Sequence, residues 1–175
     1  MLLSTHTGLR NGELRLLRWR QVDFLDRTLT VGKSKTDGGE GRMVPLSETA
    51  LRSLQDWRRQ FPEAKPDHFV FPSERYGLDG EDGYLQGTHV RPYVPLGSWK
   101  VAWKNALKIA KIQCRWHDLR HTFVSRMAES MASDATIMAL SGHLSVKMKE
   151  RYSHVRAEAK RQAIATLDRP TVTLQ

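Results

Sequence analysis

Five of the seven prolines and five of the twelve glycines fall between residues 62 and 97. Proline removes a backbone donor and glycine weakens helices and strands alike, so regular structure is expected on either side of this stretch and not within it. Its one strand candidate is HFVF (68–71). The remainder reads as a long irregular connection of the kind that carries function or is disordered. The β-rich runs lie ahead of it, and the helical periodicity lies mostly behind. The predicted fold class is α+β, mainly α-helical with a small antiparallel β-sheet near the N-terminus.

Ahead of that connection, LRNGELRLLRWR (9–20) sets Leu9, Leu14, Leu16, Leu17 and Trp19 on a loose helical stripe with Arg10 near its start. Only eight residues precede Leu9, so the first helix is expected to be truncated. RTLTV (27–31) and RMVPL (42–46) read as a hairpin whose long tip bears Lys33 and Lys35. Ser47 caps a helix running through Gln60, with Ala50, Leu51, Leu54 and Trp57 on one face. Behind the connection, Trp99, Ala102, Trp103, Ala106, Leu107 and Ala110 follow the period of an amphipathic helix. HDLRHTFVSRMAES is the next helix, and a short one runs from Ser133 or Asp134 to near Gly142. Ser145 caps another that carries Tyr152, and residues 156–168 form the last.

Lys and Arg number 28 against 19 Asp and Glu, a net charge of +9. The summed field of such an excess attracts polyanions, which puts nucleic acid first among partners. Cys114 is the single cysteine, which excludes an internal disulfide framework and a cysteine-based zinc site and fits a reducing compartment. No stretch approaches the ~20 apolar residues of a membrane span, and Met1 opens no signal peptide. A cytoplasmic protein with no membrane partner is expected.

The chemistry concentrates in RWHDLRHTFVSRM (115–127), which crowds Arg115, His117, Arg120 and His121 at the start of a helix. Like charges at helical spacing repel unless an anion sits among them. Together with Arg10, Lys35, His143 and Tyr152, the set suits attack on a phosphodiester. The guanidinium forks of Arg10 and Arg120 match the non-bridging oxygens and stay charged at any working pH. Tyr152 offers a nucleophilic hydroxyl, with Lys147, Lys149 and Arg151 nearby to favour its ionised form. The leaving sugar oxygen needs a general acid, a part Lys35 can take from the hairpin tip. His117, three residues before Arg120 on the same helix side, can handle protons beside the phosphate. Each residue alone has an ordinary alternative. Arg10 can be a solvated charge, Lys33 rivals Lys35, Tyr152 can pack a short helix, and His143 can be a helix-end residue favoured by the dipole.

TGLRNGEL (7–14), KSKT ahead of RMVPL, WHDLRHTFVSRM and LSGHLSVKMKERYSH resemble, in order and spacing, the catalytic domain of tyrosine recombinases, phage-type integrases in particular. The resemblance runs from Thr7 to about Leu167 and is weakest across 62–97. It implies the tyrosine recombinase catalytic-domain fold over 1–175, with the family's N-terminal DNA-clamping domain absent. Arg10 resembles the first catalytic arginine, His117 and Arg120 the His-x-x-Arg pair, and His143 the later histidine on the scissile phosphate. Lys35 resembles the general acid, and Tyr152 the nucleophile that forms a 3′-phosphotyrosyl link and frees a 5′-hydroxyl. The link retains the bond energy, so the resemblance implies no metal and no cofactor. By similarity Glu13 supports the arginine site and His121 buttresses the fold. DNA contacts are expected from Arg10, Lys33, Lys35, Arg42, Arg115, Arg120 and Lys147. The partners implied are double-stranded recombination sites, further copies of the chain in a tetramer, and accessory DNA-bending proteins. Three rivals remain: a type IB topoisomerase, a noncatalytic DNA-binding module derived from a recombinase, and hydrolysis by a zinc ion on His117 and His121, against which the charge of Arg120 between them counts.

Overall fold

The computed structural model describes residues 1–34, 39–78, 85–130 and 132–142, with 157, 160, 161, 164, 165 and 167, the side chains of 74–78 and 85–89 excepted. Lys35, His143, Lys147, Tyr152, the helix expected from Ser145 and most of the last helix lie outside the described residues.

Leu2–Thr7 form α1, which stops where Gly8 turns left-handed at φ 65° and its N–H donates to the Ser4 carbonyl. Asn11–Arg15 form α2, with Arg10 as its N-cap residue. The helical stripe expected over 9–20 therefore ends early. Leu17 and Trp19 are buried, but from a segment lying along HFVF: the Val70 N–H donates to the Leu17 carbonyl at 2.8 Å and the Trp19 N–H to that of His68 at 3.1 Å. HFVF makes one isolated bridge, Arg18 to Phe69, rather than a strand of its own. A 3₁₀ turn follows at Trp19–Gln21.

Val22–Asp23 (β1), Thr28–Thr30 (β2) and Met43–Pro45 (β3) pair antiparallel in that order. Val22, Leu29 and Val44 lie opposite one another across the three strands, and all are buried. That single apolar row fixes the register, because a slip of one residue would turn it to solvent. The expected hairpin is present as β2 and β3, and β1 adds a third strand too short to leave a pattern. Glu48–Arg59 form α3, whose first turn is capped by Ser47 Oγ accepting from the Ala50 N–H at 3.3 Å. Its buried residues Ala50, Leu51 and Leu54 join the sheet, α1 and α2 in the larger of two apolar nuclei.

The irregular connection expected over 62–97 is corrected by the structure, which folds Pro72–Leu78 (β4) and Leu85–Pro95 (β5) into an antiparallel ribbon. In a two-stranded ribbon every strand is an edge, so a missing proline N–H need not break a ladder bond. Pro72 stands opposite Pro95, and register shifts after Pro72 and Tyr76 absorb the irregularities.

Lys100–Ala110 (α4), Trp116–Glu129 (α5) and Asp134–Ser141 (α6) complete the described elements. Ser133 Oγ caps α6 by accepting from the Thr136 N–H at 3.0 Å. No residue of α4 is fully buried. Trp99, Ala102, Trp103 and Ala106 of the predicted apolar face instead line a groove of about 450 Å³ with Leu54, Trp57, Phe71 and Trp116, where Trp99 and Trp116 stack at 4.9 Å. The second nucleus joins Phe123, Val124 and Ala128 of α5 to Ile137 of α6. Among the described residues no helix is long and apolar enough to cross a membrane.

Candidate active site

Polar side chains gather at the seam between the two nuclei. At their centre is Glu13, in the first turn of α2, with its side chain 2 % exposed. A carboxylate so placed is tolerable only if fully paired, and among the described residues five donors reach it. Arg42 forks across both oxygens, with Nη2 to Oε2 at 2.7 Å and Nη1 to Oε1 at 3.1 Å. Arg10 gives its Nη1 to Oε1 and its backbone N–H to Oε2, each at 2.8 Å. Ser34 Oγ donates to Oε1 at 2.7 Å.

Burial alone would push the Glu13 carboxyl upward, but the hydrogen bonds from Arg42, the Arg10 backbone, Ser34 and the Arg10 guanidinium outweigh it and lower it from 4.5 to about 2. A group lowered on folding stabilises fully above its unfolded value and loses that stabilisation as pH falls through the folded one. Between about pH 6 and pH 3 the chain should therefore lose about 2 kcal/mol from this residue. Urea unfolding across that window checks it, because the Glu13→Gln chain should lack this part of the fall. An equal fall in both chains would remove the assignment.

Arg120, on α5 and 2 % exposed, spans the seam. Its Nη1 donates to the Gly8 carbonyl at the end of α1, and its Nη2 to the Ser141 carbonyl at the end of α6, the latter at 2.5 Å. Arg42 makes a second tie to the same end of α6 through Nε to the Leu140 carbonyl at 3.0 Å, and a tie to the hairpin through Nη1 to the Gly39 carbonyl at 2.5 Å. Gly142 then leaves α6 with φ 72°, over the cluster. A Cβ there would meet Arg10 Nη1 and Arg42 Nη1 at an ordinary 3.6 Å, so the positive φ, rather than crowding, calls for glycine.

His117 lies at the solvent edge, one turn before Arg120 on α5, with its ring edge-on to that of His121 at 4.8 Å. Desolvation, then the charge of Arg120, with Arg115 and Arg10 beyond, lower its pKa from 6.5 against a pull the other way from Asp118. Its imidazole is therefore neutral at neutral pH and able to accept a proton or a hydrogen bond. Among the described residues no three His, Cys, Asp or Glu side chains gather to hold a metal ion.

The sequence-predicted residues thus divide. Arg10, Arg120 and His117 come together, and of the two arginines Arg10 is the more open, its side chain 20 % exposed. Arg42, expected among the DNA contacts, is turned inward, with its side chain 6 % exposed and Nε, Nη1 and Nη2 all engaged in the protein. Lys33 is exposed. Arg115 is exposed and pairs with Asp118 at 2.9 Å, repeating on the surface the motif that Arg10 and Glu13 form inside: an N-cap arginine with an acid three residues on. Glu13 does contact the arginine it was expected to support. Ser34 was missed, although a hydroxyl between Lys33 and Lys35 was there to be weighed. The main chain of Ser141 and Gly142 was missed too, because a carbonyl leaves no mark on the side-chain pattern.

Residues 1–159 match the phage integrase family. The shufflon-specific DNA recombinase of Escherichia coli is 32 % identical over 157 residues, covering 89 % of this chain and 34 % of that protein. Tyrosine recombinase XerC of Xanthomonas axonopodis pv. citri (strain 306) is 31 % identical over 149 residues, covering 85 % and 43 % respectively. The crystal structure of XerA recombinase superposes with a TM-score of 0.64 at 24 % identity, over 96 % of this chain and 56 % of that one. The chain thus spans about a third to just over a half of these proteins' own lengths. The fold agrees with the recombinase structure, and the matched stretch takes in Arg10, Glu13, Arg42, His117 and Arg120 and runs on past Tyr152; the chain belongs to the phage integrase family.

Proposed function

We propose that the chain is the catalytic domain of a site-specific tyrosine recombinase that cuts and rejoins double-stranded DNA. The Tyr152 hydroxyl attacks the phosphorus, the bond to the 5′-oxygen breaks, and a 3′-phosphotyrosyl link remains beside a free 5′-hydroxyl. Attack by a partner strand's 5′-hydroxyl reverses the chemistry and returns the phenol. Arg10 and Arg120 stabilise the extra negative charge on the non-bridging oxygens, the effect that is often largest in such reactions. His117, kept neutral by desolvation and by its cationic neighbours, takes and returns a proton. Lys35 protonates the leaving oxygen, and His143 hydrogen-bonds the phosphate. Lys33, Arg115 and Lys147 contact the DNA backbone. The partners are double-stranded recombination sites, further copies of the chain in a tetramer on DNA, and accessory DNA-bending proteins, in the cytoplasm.

The observation that carries this reading is the buried carboxylate that orients Arg10 beside Arg120 and His117, an arrangement a merely basic surface does not need. A duplex nicked beside the cleavage site, so that the short 5′ fragment diffuses away, traps the covalent link. The wild-type chain should accumulate a protein–DNA adduct that survives denaturation, and Tyr152→Phe should form none. DNA binding without an adduct in the wild type would leave a noncatalytic binding module instead.

A further inference from the structure

Resting on that reading, we infer that Arg42 is a positioning residue for the arginine site: it offsets the charge of Glu13, so that Glu13 can orient Arg10 without cancelling it.

Glu13 holds Arg10 through the backbone and the guanidinium at 2.8 Å each. Alone, that pair would be neutral, and a phosphate approaching Arg10 would meet the carboxylate as well. The inward fork of Arg42 across both Glu13 oxygens leaves the trio with one positive charge, and in a largely buried site that difference is screened less than it would be in water. The same guanidinium reaches the Gly39 carbonyl and the Leu140 carbonyl, so the charge correction arrives from a group fixed on three sides. Among the described residues the groups hydrogen-bonded to Glu13 are Arg10 and its backbone N–H, Arg42 and Ser34, none of them a carboxylate.

The test compares wild type, Arg42→Met, Arg42→Lys, Glu13→Gln and the Arg42→Met/Glu13→Gln double variant in the 175-residue chain. The rate of adduct formation is read at saturating nicked duplex, per folded molecule, and duplex affinity by fluorescence anisotropy. Arg42→Met should slow adduct formation by about 10- to 100-fold, the range seen when a residue that orients a ligating group is lost. Arg42→Lys should be slowed less, because it keeps the charge. The double variant should recover to within a few-fold of Glu13→Gln, because removing the carboxylate removes what Arg42 offsets.

A loss confined to packing would not be rescued by Glu13→Gln. Arg42→Met within twofold of wild type, a Lys variant as slow as the Met variant, or a double variant no faster than Arg42→Met overturns the inference. A wild-type chain that forms no adduct overturns the proposed activity instead. Anisotropy then tests Arg42 alone: weaker duplex binding by Arg42→Met that Glu13→Gln restores supports the inference, and unchanged binding overturns it.

Discussion

Replacing Gly8 by alanine should destabilise the chain by about 2–4 kcal/mol, the sum of a left-handed conformation forced on an L-residue and an overpacked contact. The φ of 65° already disfavours any side chain. The added Cβ would also stand 2.5 Å from Phe123 Cδ1 and 2.8 Å from Cε1, and Phe123 is a buried member of the second nucleus that cannot swing away freely. Relief requires α1 to move off α5, which pulls the Gly8 carbonyl from Arg120. Thermal melting followed by circular dichroism should show a fall of about 10 °C for a chain of this size. Gly12→Ala is the matched control, for nothing lies within 4 Å of the corresponding Cβ inside α2, and a helical alanine should hold or slightly raise the melting point. An unchanged midpoint for Gly8→Ala would mean that the α1–α5 contact is looser than described.

Arg120→Ala should damage both stability and chemistry. The buried carbonyls of Gly8 and Ser141 each lose a charged donor, and leaving a buried acceptor unsatisfied costs about 1–3 kcal/mol apiece. At a temperature where the variant remains folded, adduct formation should fall by about 10²- to 10³-fold through loss of one guanidinium at the phosphate. Arg120→Lys separates the two effects. It should recover part of the stability by restoring a cation, yet little of the rate, because an ammonium cannot bond two carbonyls on opposite sides while facing a phosphate. A folded Arg120→Ala chain that forms adduct at the wild-type rate would remove Arg120 from the reaction.

What could be read in advance depended on how local its cause was. Helix α3 is legible because Ser47 and the Ala50, Leu51, Leu54 spacing specify it within one segment, and α5 and α6 follow similar rules. The β4–β5 ribbon was not legible. Pro72, Pro92 and Pro95 argue against strands in general, and only pairing between two edges makes them admissible. The stripe over 9–20 misled for a related reason: Leu14 and Leu17 share a helical face by spacing, but Leu17 meets its partner, Val70, through the backbone. At the site, Arg10, His117 and Arg120 stand out as residue types in suggestive order. The inward turn of Arg42 depends on Glu13, Gly39 and Leu140, groups from three distant segments, and no pattern along one strand of sequence reveals it.

The guanidinium of Arg120 is both the strut between the molecule's front and back halves and the proposed reagent. A lineage selected for fast recombination and one selected only for soluble yield would refuse change at the same codon. Drift is barred there twice over, so a variant library built to alter duplex preference would waste its diversity at that position. Lys33 and the surface pair of Arg115 with Asp118 brace little of the interior, and a library has room to vary there without unfolding the chain.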